Sequence, residues 1–196
     1  MRKAVFLDRD GTIIEDRGHL DCPSQVVFIP GAFDALRRLQ EEFLLFIVTN
    51  QSGIAKRIIT RQEADGVNRH VVSRLADNGV HITDVYVCPH QRENLCSCMK
   101  PRGYFLKKAA LRYWLDLTRS FTIGDHPHDV ELADSVGAQG IYVLTGHGNK
   151  HRPELPPETT VARDIADAAE RILSARPSVA EGGPVRQEAT PNTKRE

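Results

Sequence analysis

The sequence contains no run of about 18 apolar residues, the length that a helix needs to cross a bilayer. Its first apolar run, Ala4–Leu7, is too short for the core of a secretory signal peptide. An excess of one charge is also absent, because 26 lysine and arginine residues balance 26 aspartate and glutamate residues. A neutral chain has no long-range attraction for nucleic acid or for an anionic membrane. We therefore expect a cytoplasmic protein, monomeric, without a nucleic-acid or membrane partner.

Cysteine is scarce, yet three of the four cysteines, Cys88, Cys96 and Cys98, lie close together in the chain. Without an export signal, clustered cysteines favour metal binding over disulfide bonds. Together with His90 they supply three thiolates and one imidazole, a complete tetrahedral ligand set for a structural zinc ion. The loop around them has few apolar residues. A bound Zn²⁺ would therefore hold this loop together and position Lys100 at its end.

The rest of the chain alternates short apolar runs with amphipathic segments. The apolar runs predict strands at Ala4–Asp8, Leu44–Thr49, Asp84–Cys88, Phe121–Gly124 and Ile141–Leu144. The amphipathic segments predict helices at Gly31–Glu41, Thr60–Asn78, Gly103–Leu117, His128–Val136 and Asp164–Ser174. Strands that alternate with helices predict an α/β fold with a doubly wound parallel sheet.

The chain is predicted to form one domain over residues 1–174. Residues 175–196 are rich in proline, glycine and charge and have little to bury, so they are predicted to be a disordered tail. The segment Gly11–Pro30 is long for a loop and lacks periodicity, which indicates a functional flap over the first strand. The chain leaves no room for a separate cap domain between its motifs, so the flap and the zinc loop are expected to control access to the site.

Polar residues suited to catalysis lie at the ends of the predicted strands. Asp8 and Asp10 close the first strand, Thr49 ends the second, Asp125 follows the fourth, and Lys100 precedes a helix. Ligands of doubly wound sheets bind beyond the carboxyl ends of the strands, so these side chains are expected to meet at one edge. Carboxylates that meet raise each other's pKa, and Mg²⁺ with oxygen ligands would remove that repulsion. Together with Lys100, the metal would balance the charge of a phosphate group.

This group of residues predicts hydrolysis of a phosphate ester. Asp8 is suited to in-line attack that forms an aspartyl-phosphate. Asp10 is suited to protonate the leaving oxygen and later to activate water. Thr49 and Asn50 are suited to donate hydrogen bonds to phosphate oxygens. Each motif alone also has a structural explanation, such as a turn, a helix cap or a solvated lysine. Their order and their repeated placement at strand ends favour the catalytic explanation.

The same motifs resemble those of the haloacid dehalogenase superfamily of phosphohydrolases, over roughly residues 4–145. The matching positions are Asp8-Arg9-Asp10-Gly11-Thr12, Thr49, Lys100, and Gly124-Asp125 with Asp129. The resemblance implies that Asp8 is the nucleophile and Asp10 the general acid and base. It implies that Thr49 and Lys100 hold the transferring phosphoryl group. It also implies a catalytic Mg²⁺ held by Asp8, the Asp10 carbonyl and Asp125, with Asp129 acting behind those ligands.

The zinc loop narrows the resemblance to one branch. Cys88-Pro89-His90 and Cys96-x-Cys98-x-Lys100-Pro101 resemble the branch that contains heptose 1,7-bisphosphate phosphatases and histidinol-phosphate phosphatases. Gly53-Ile54-Ala55, after Ser52, is more similar to the heptose enzymes. The resemblance implies a small phosphorylated metabolite as substrate. The candidate substrate-binding residues are Asp16, Arg17, Gly18, His19, Asn50, Gln51, Ser52, Met99 and His126.

Two positions depart from this branch. Met99 stands where an arginine usually precedes the motif lysine, and His126 stands where the heptose enzymes often carry a lysine. His128 is interpreted as a surface residue. The resemblance implies a heptose 1,7-bisphosphate 7-phosphatase, and a histidinol-phosphate phosphatase or another small sugar-phosphate phosphatase remains the alternative. A non-catalytic, zinc-stabilised binding module is the alternative from a different class.

Overall fold

The computed structural model describes residues 1–174, and these form a six-stranded parallel sheet with helices on both faces. The strands are β1 (Ala4–Leu7), β2 (Leu44–Asn50), β3 (Ile82–Cys88), β4 (Phe121–Gly124), β5 (Gln139–Val143) and β6 (Thr160–Ala162). The helices are α1 (Ala32–Gln40), α2 (Arg61–Asp77), α3 (Tyr104–Tyr113), α4 (Pro127–Asp134), α5 (Gly148–His151) and α6 (Ile165–Ser174). The strand order is β3-β2-β1-β4-β5-β6, which confirms the predicted doubly wound α/β fold.

The central strand β1 is buried on both faces, which explains its continuous apolar sequence. Val5 and Leu7 point to one core, which α1, α2 and α6 cover. Ala4 and Phe6 point to the opposite core, which α3 and α4 cover. This division follows from the period of two along a strand, because successive side chains leave opposite faces of the sheet.

Local sequence signals set the ends of two helices. Thr60 caps α2 as predicted: its hydroxyl accepts from the Glu63 amide at 3.2 Å, and its own amide donates to the Glu63 carboxylate at 2.6 Å. Helix α3 ends at Tyr113, before the predicted Leu117. Trp114 adopts a φ of 57°, a left-handed conformation that ends the helix.

The segment that was predicted as a flap is anchored to the protein. Ile13 and Ile14 are fully buried and Leu20 is nearly so, and Ile14 forms a β-bridge with Phe28. The five predicted strands are present. The three-residue strand β6 and the one-turn helix α5 were not predicted, because such short elements carry no periodicity.

The connections between elements within residues 1–174 contain no additional domain. Within this range no helix combines the length and the apolar character needed to cross a membrane. The predicted tail, residues 175–196, lies outside the described residues.

Candidate active site

The predicted catalytic side chains meet at the carboxyl ends of β1, β2 and β4. From β1 to β3 each new strand is added on one side of β1, and from β4 to β6 on the other side. Ligands of doubly wound sheets bind at the point where this order switches, which here lies between β1 and β4. A pocket of about 180 Å³ opens there, and we call it the catalytic pocket. Its lining residues are Asp8, Asp10, Asp16, Thr49, Asn50, Lys100, Asp125, His126, His128 and Asp129.

Lys100 is held between two carboxylates at the floor of this pocket. Its ammonium donates to one oxygen of Asp8 and to one oxygen of Asp129, each at 2.6 Å, and its side chain is 6% exposed. Burial alone would lower the pKa of Lys100, but the charges of Asp129 and Asp8 raise it above its usual value. The backbone amide of Lys100 donates to the side-chain oxygen of Asn50 at 3.2 Å. The end of the cysteine-rich loop is thereby tied to β2.

The carboxylates of this pocket are suited to a hard divalent cation. Oxygens of Asp8, Asp125 and Asp129 lie within 4.8 Å of one another. Burial raises the pKa of Asp8 to about 6, against the opposing charge of Lys100. Burial and the charge of Asp8 raise the pKa of Asp125 to about 8. A bound Mg²⁺ would remove this unfavourable crowding, because it takes oxygen ligands and supplies the missing positive charge.

Gly11 keeps the space around these carboxylates open. It has a φ of +80°, and a Cβ placed on it would overlap the Asp125 carboxylate. Glycine adopts this left-handed conformation without the steric penalty that a side chain brings. Gly11 thus lets the loop after β1 pass directly over Asp125, and the donor set fits the predicted metal.

Asp10 is fixed by residues that surround its carboxylate. Arg9 is completely buried, and its Nε and Nη2 donate to both oxygens of Asp10 at 2.8 to 3.1 Å. The Nη1 of Arg9 donates to Asn68 on α2 at 2.6 Å. Gln51 donates to Asp10 at 2.8 Å and to the hydroxyl of Thr49 at 2.9 Å. Burial raises the pKa of Asp10 despite the charge of Arg9. Neither Arg9 nor Asn68 was predicted as a site residue.

The predicted substrate-binding residues of the loop after β1 occupy different places. Asp16 lines the catalytic pocket, where its carboxylate accepts from the Gly18 amide at 2.8 Å and lies 3.4 Å from His147. Arg17 is exposed and its guanidinium pairs with Glu15. Gly18 and His19 are exposed and lie outside the lining of the catalytic pocket.

The other predicted substrate-binding residues surround a second cavity of about 300 Å³, which we call the outer cavity. It is contiguous with the catalytic pocket, since both are lined by Asn50, Lys100, His126 and His128. Ser52 and Met99 line the outer cavity alone. Gln51 lines neither space, because it is buried under Asp10 and Thr49.

His128 is partly buried and lines the site, so its interpretation as a surface residue away from the site was wrong. Its ring stacks on His126 with centroids 4.4 Å apart, and it lines both spaces. His126 begins α4, and its ring accepts from the His128 amide at 3.3 Å. Burial, together with His128 and His151, lowers the pKa of His126 to about 4. His126 is therefore neutral at pH 7 and does not replace the charge of a lysine.

The four predicted zinc ligands converge at one point. The Cys98 sulfur lies 3.3 Å from Cys88, 3.6 Å from Cys96 and 3.4 Å from Nδ1 of His90. Cys88 lies 3.6 Å from Cys96 and 3.7 Å from His90. Bonds of about 2.3 Å from zinc to sulfur place tetrahedral ligands about 3.8 Å apart, so the observed spacings fit a zinc tetrahedron.

The pKa values of the thiols in this cluster also favour a bound cation. Burial raises the pKa of Cys88, which has no exposed surface and would be a poor anion without a metal. Burial alone would also raise the pKa of Cys96, but hydrogen bonds from the amides of Cys98 and Met99 lower it to about 7. A metal bound here would ionise the buried thiol directly.

Comparison with known proteins identifies relatives over most of the chain. The HAD-hydrolase-like family matches residues 97–168. D-glycero-β-D-manno-heptose-1,7-bisphosphate 7-phosphatase of Bordetella bronchiseptica is 31% identical over 175 residues, which cover 87% of this chain and 98% of that protein. The enzyme of the same name from Escherichia coli is 35% identical, over 77% of this chain and 83% of its own.

Comparison with solved structures identifies the same family. The crystal structure of D,D-heptose 1,7-bisphosphate phosphatase from B. bronchiseptica, complexed with magnesium and phosphate, superposes with a TM-score of 0.81. It is 31% identical, and the match covers 88% of this chain and 98% of that one. Relatives that are phosphatases do not support the alternative of a non-catalytic binding module. This chain belongs to the haloacid dehalogenase-like family of phosphatases, together with these heptose-bisphosphate enzymes.

Proposed function

We propose that the protein is a Mg²⁺-dependent 7-phosphatase of D-glycero-D-manno-heptose 1,7-bisphosphate. The observation that carries this proposal is the buried contact of Lys100 with Asp8, in a pocket that Asp10 and Asp125 also line. Relatives of this name cover most of the chain, which supports the choice of substrate. The reaction would release the phosphate on carbon 7 and leave the phosphate on carbon 1.

In the first step, an oxygen of Asp8 attacks the phosphorus of the 7-phosphate. The bond from phosphorus to the sugar oxygen breaks, and Asp10 gives its proton to that oxygen, which leaves as an alcohol. The ammonium of Lys100 and the hydroxyl of Thr49 bind the phosphoryl oxygens. The clamp of Arg9 and Gln51 on Asp10 supports this assignment, because a general acid must be held in one orientation.

In the second step, water attacks the aspartyl-phosphate. Asp10, now ionised, takes a proton from this water, the bond between Asp8 and phosphorus breaks, and inorganic phosphate leaves. Asp8 and Asp10 return to their starting states. The raised pKa of Asp10 supports this cycle, because burial makes its protonated form accessible closer to neutral pH.

Two metals complete the proposal. Mg²⁺ would be held by Asp8, the Asp10 carbonyl and Asp125, and would neutralise charge on the transferring phosphoryl group. Asp129 would act through Lys100, with which it forms an ion pair at 2.6 Å. Zn²⁺ would be structural, held by Cys88, His90, Cys96 and Cys98, with no open position for substrate.

Mg²⁺ is expected to raise the melting temperature more at about pH 8 than at about pH 5.5. The pKa values of Asp8 and Asp125 are raised from 3.8 to about 6 and about 8, so the folded metal-free protein binds protons more tightly than the unfolded chain. Its stability therefore falls as pH rises through this range. Mg²⁺ binds the ionised carboxylates and offsets that loss. Thermal unfolding with Mg²⁺ or with a chelator at each pH measures the effect.

Asp125→Asn is expected to reduce this pH-dependent rise in melting temperature. Asp134→Asn is the control and is expected to leave the rise intact, because it removes an exposed carboxylate at the end of α4, the helix that follows Asp125. An equal gain from Mg²⁺ at both pH values would show that the carboxylate cluster is not where the metal binds.

A phosphate-release screen with Mg²⁺ tests the proposed function. The panel contains heptose 1,7-bisphosphate, heptose 7-phosphate, other sugar mono- and bisphosphates, and histidinol phosphate. We expect kcat/KM for heptose 1,7-bisphosphate to exceed that for every other compound by at least about 100-fold, which is about 2.7 kcal/mol of transition-state binding. A preference for histidinol phosphate or for a monophosphate would reject the substrate while keeping the phosphatase chemistry.

A further inference from the structure

The outer cavity offers positive charge that the catalytic pocket does not use. Two cationic side chains, Lys56 and Arg92, line it, against a single carboxylate from Glu93. Lys100 also reaches this cavity, but its ammonium is already shared between Asp8 and Asp129. Positive charge therefore dominates the part of the outer cavity that the catalytic pocket does not share.

Lys56 and Arg92 are free to bind an anion. Both are exposed, and among residues 1–174 neither is paired with a carboxylate. The Arg92 guanidinium lies 3.5 Å from Nε2 of His128. Arg17, an exposed arginine in the loop after β1, is instead paired with Glu15.

The loops that carry the two cations are joined to each other. Lys56 lies in the connection from β2 to α2, and its amide donates to the Ser52 carbonyl at 3.1 Å. The next residue back, Ala55, donates to the carbonyl of Pro89 in the cysteine-rich loop at 3.1 Å. Arg92 begins the short 3₁₀ turn of that same loop. The fold thus holds both cations on the rim of one cavity.

The geometry points to Lys56 and Arg92 as the residues that bind the second, non-reacting phosphate of the substrate in the outer cavity. This inference rests on the proposed function. Met99 gives this cavity an apolar side chain where the branch usually carries an arginine, and Lys56 and Arg92 supply positive charge to the same cavity. Phosphate recognition needs cationic N–H donors, and arginine offers two in a planar fork while lysine offers a point charge. The ligand class is a compact sugar with phosphates at both ends.

The test compares Lys56→Gln, Arg92→Gln and the double variant with two charge-matched controls. Lys108→Gln on α3 and Arg69→Gln on α2 remove exposed cations that lie outside both spaces. The measured quantity is the ratio of kcat/KM for heptose 1,7-bisphosphate to kcat/KM for heptose 7-phosphate. Each single variant is expected to lower this ratio about 10-fold and the double variant about 100-fold, while the controls keep it. Met99→Arg in the double variant is expected to recover at least about 5-fold, because it returns a cation to the same cavity.

The outcomes separate this inference from the proposed function. If the wild-type protein releases no phosphate from the bisphosphate, the proposed function fails and the inference fails with it. If the wild type prefers the bisphosphate but the variants keep the wild-type ratio, only the inference is overturned. A double variant that loses activity equally on both substrates also overturns it, because the two cations would then serve the reacting phosphate or the fold.

Discussion

Replacing Asp8 with asparagine is expected to lower kcat by at least about 10⁴-fold, without unfolding the protein. The amide has no anionic oxygen to attack phosphorus, so the aspartyl-phosphate cannot form. Its carbonyl oxygen can still accept the hydrogen bond that Lys100 now gives to Asp8 at 2.6 Å. The substitution also removes one charge from a crowded carboxylate cluster, so the melting temperature of the metal-free protein is expected to stay equal or rise. Phosphate release and thermal unfolding on the same preparation measure both effects.

Asp134→Asn is the matched control, because it makes the same chemical change at an exposed position. It should retain wild-type kcat within about 2-fold, since surface substitutions rarely change stability or activity much. If Asp8→Asn keeps more than about 1% of wild-type kcat while remaining folded, a different group must be the nucleophile.

Cys98→Ser is expected to remove the bound zinc and to destabilise the protein by roughly 4 kcal/mol, the scale of losing a structural metal. Cys98 has the central position in the cluster, within 3.6 Å of the ligand atoms of Cys88, His90 and Cys96. It also lies two residues before Lys100, so loosening this loop should displace the Lys100 ammonium. We therefore expect kcat to fall at least about 10-fold. Metal analysis of the purified protein, chemical denaturation and phosphate release measure these effects.

Cys22→Ser provides the control, because Cys22 is exposed and lies outside the cluster. It should keep about one zinc ion per chain, as expected for one tetrahedral site. A Cys98→Ser protein with unchanged zinc content and stability would show that the cluster is not a zinc site. Loss of zinc with unchanged kcat would show that the metal stabilises the loop without positioning Lys100.

The sequence was most informative where a single periodicity governs the structure. The apolar run of β1 and the polar residues that follow it predicted both a buried central strand and a site at its end. The capping box at Thr60 predicted the start of α2, because the pattern depends on residues only three positions apart. Asp8, Thr49 and Asp125 meet at one pocket because parallel strands bring their carboxyl ends to the same edge.

Residues whose partners lie far along the chain were missed. Arg9 stands between two site aspartates, but nothing in its sequence context shows that its side chain turns inward to Asp10 and Asn68. Asn68 lies between the apolar positions of α2 and carries no mark that distinguishes it from a solvated residue. The orientation of Lys56 and Arg92 depends on how two loops meet, and loops have no periodicity from which to read a direction.

The strand order also determines at which stage of synthesis and folding the active site can form. β1 pairs with β2, its near neighbour in sequence, but its other partner is β4, and Asp8 and Lys100 are 92 positions apart. During synthesis, β1, β2 and β3 can pair before the site residues from Lys100 to Asp129 have been made. The unpaired edge of β1 stays open until β4 docks, and closing so large a loop is the slow, entropically unfavourable event. We therefore expect activity to appear late in folding, when β4 pairs with β1. The same pairing covers the edge of β1 that could otherwise pair with other chains.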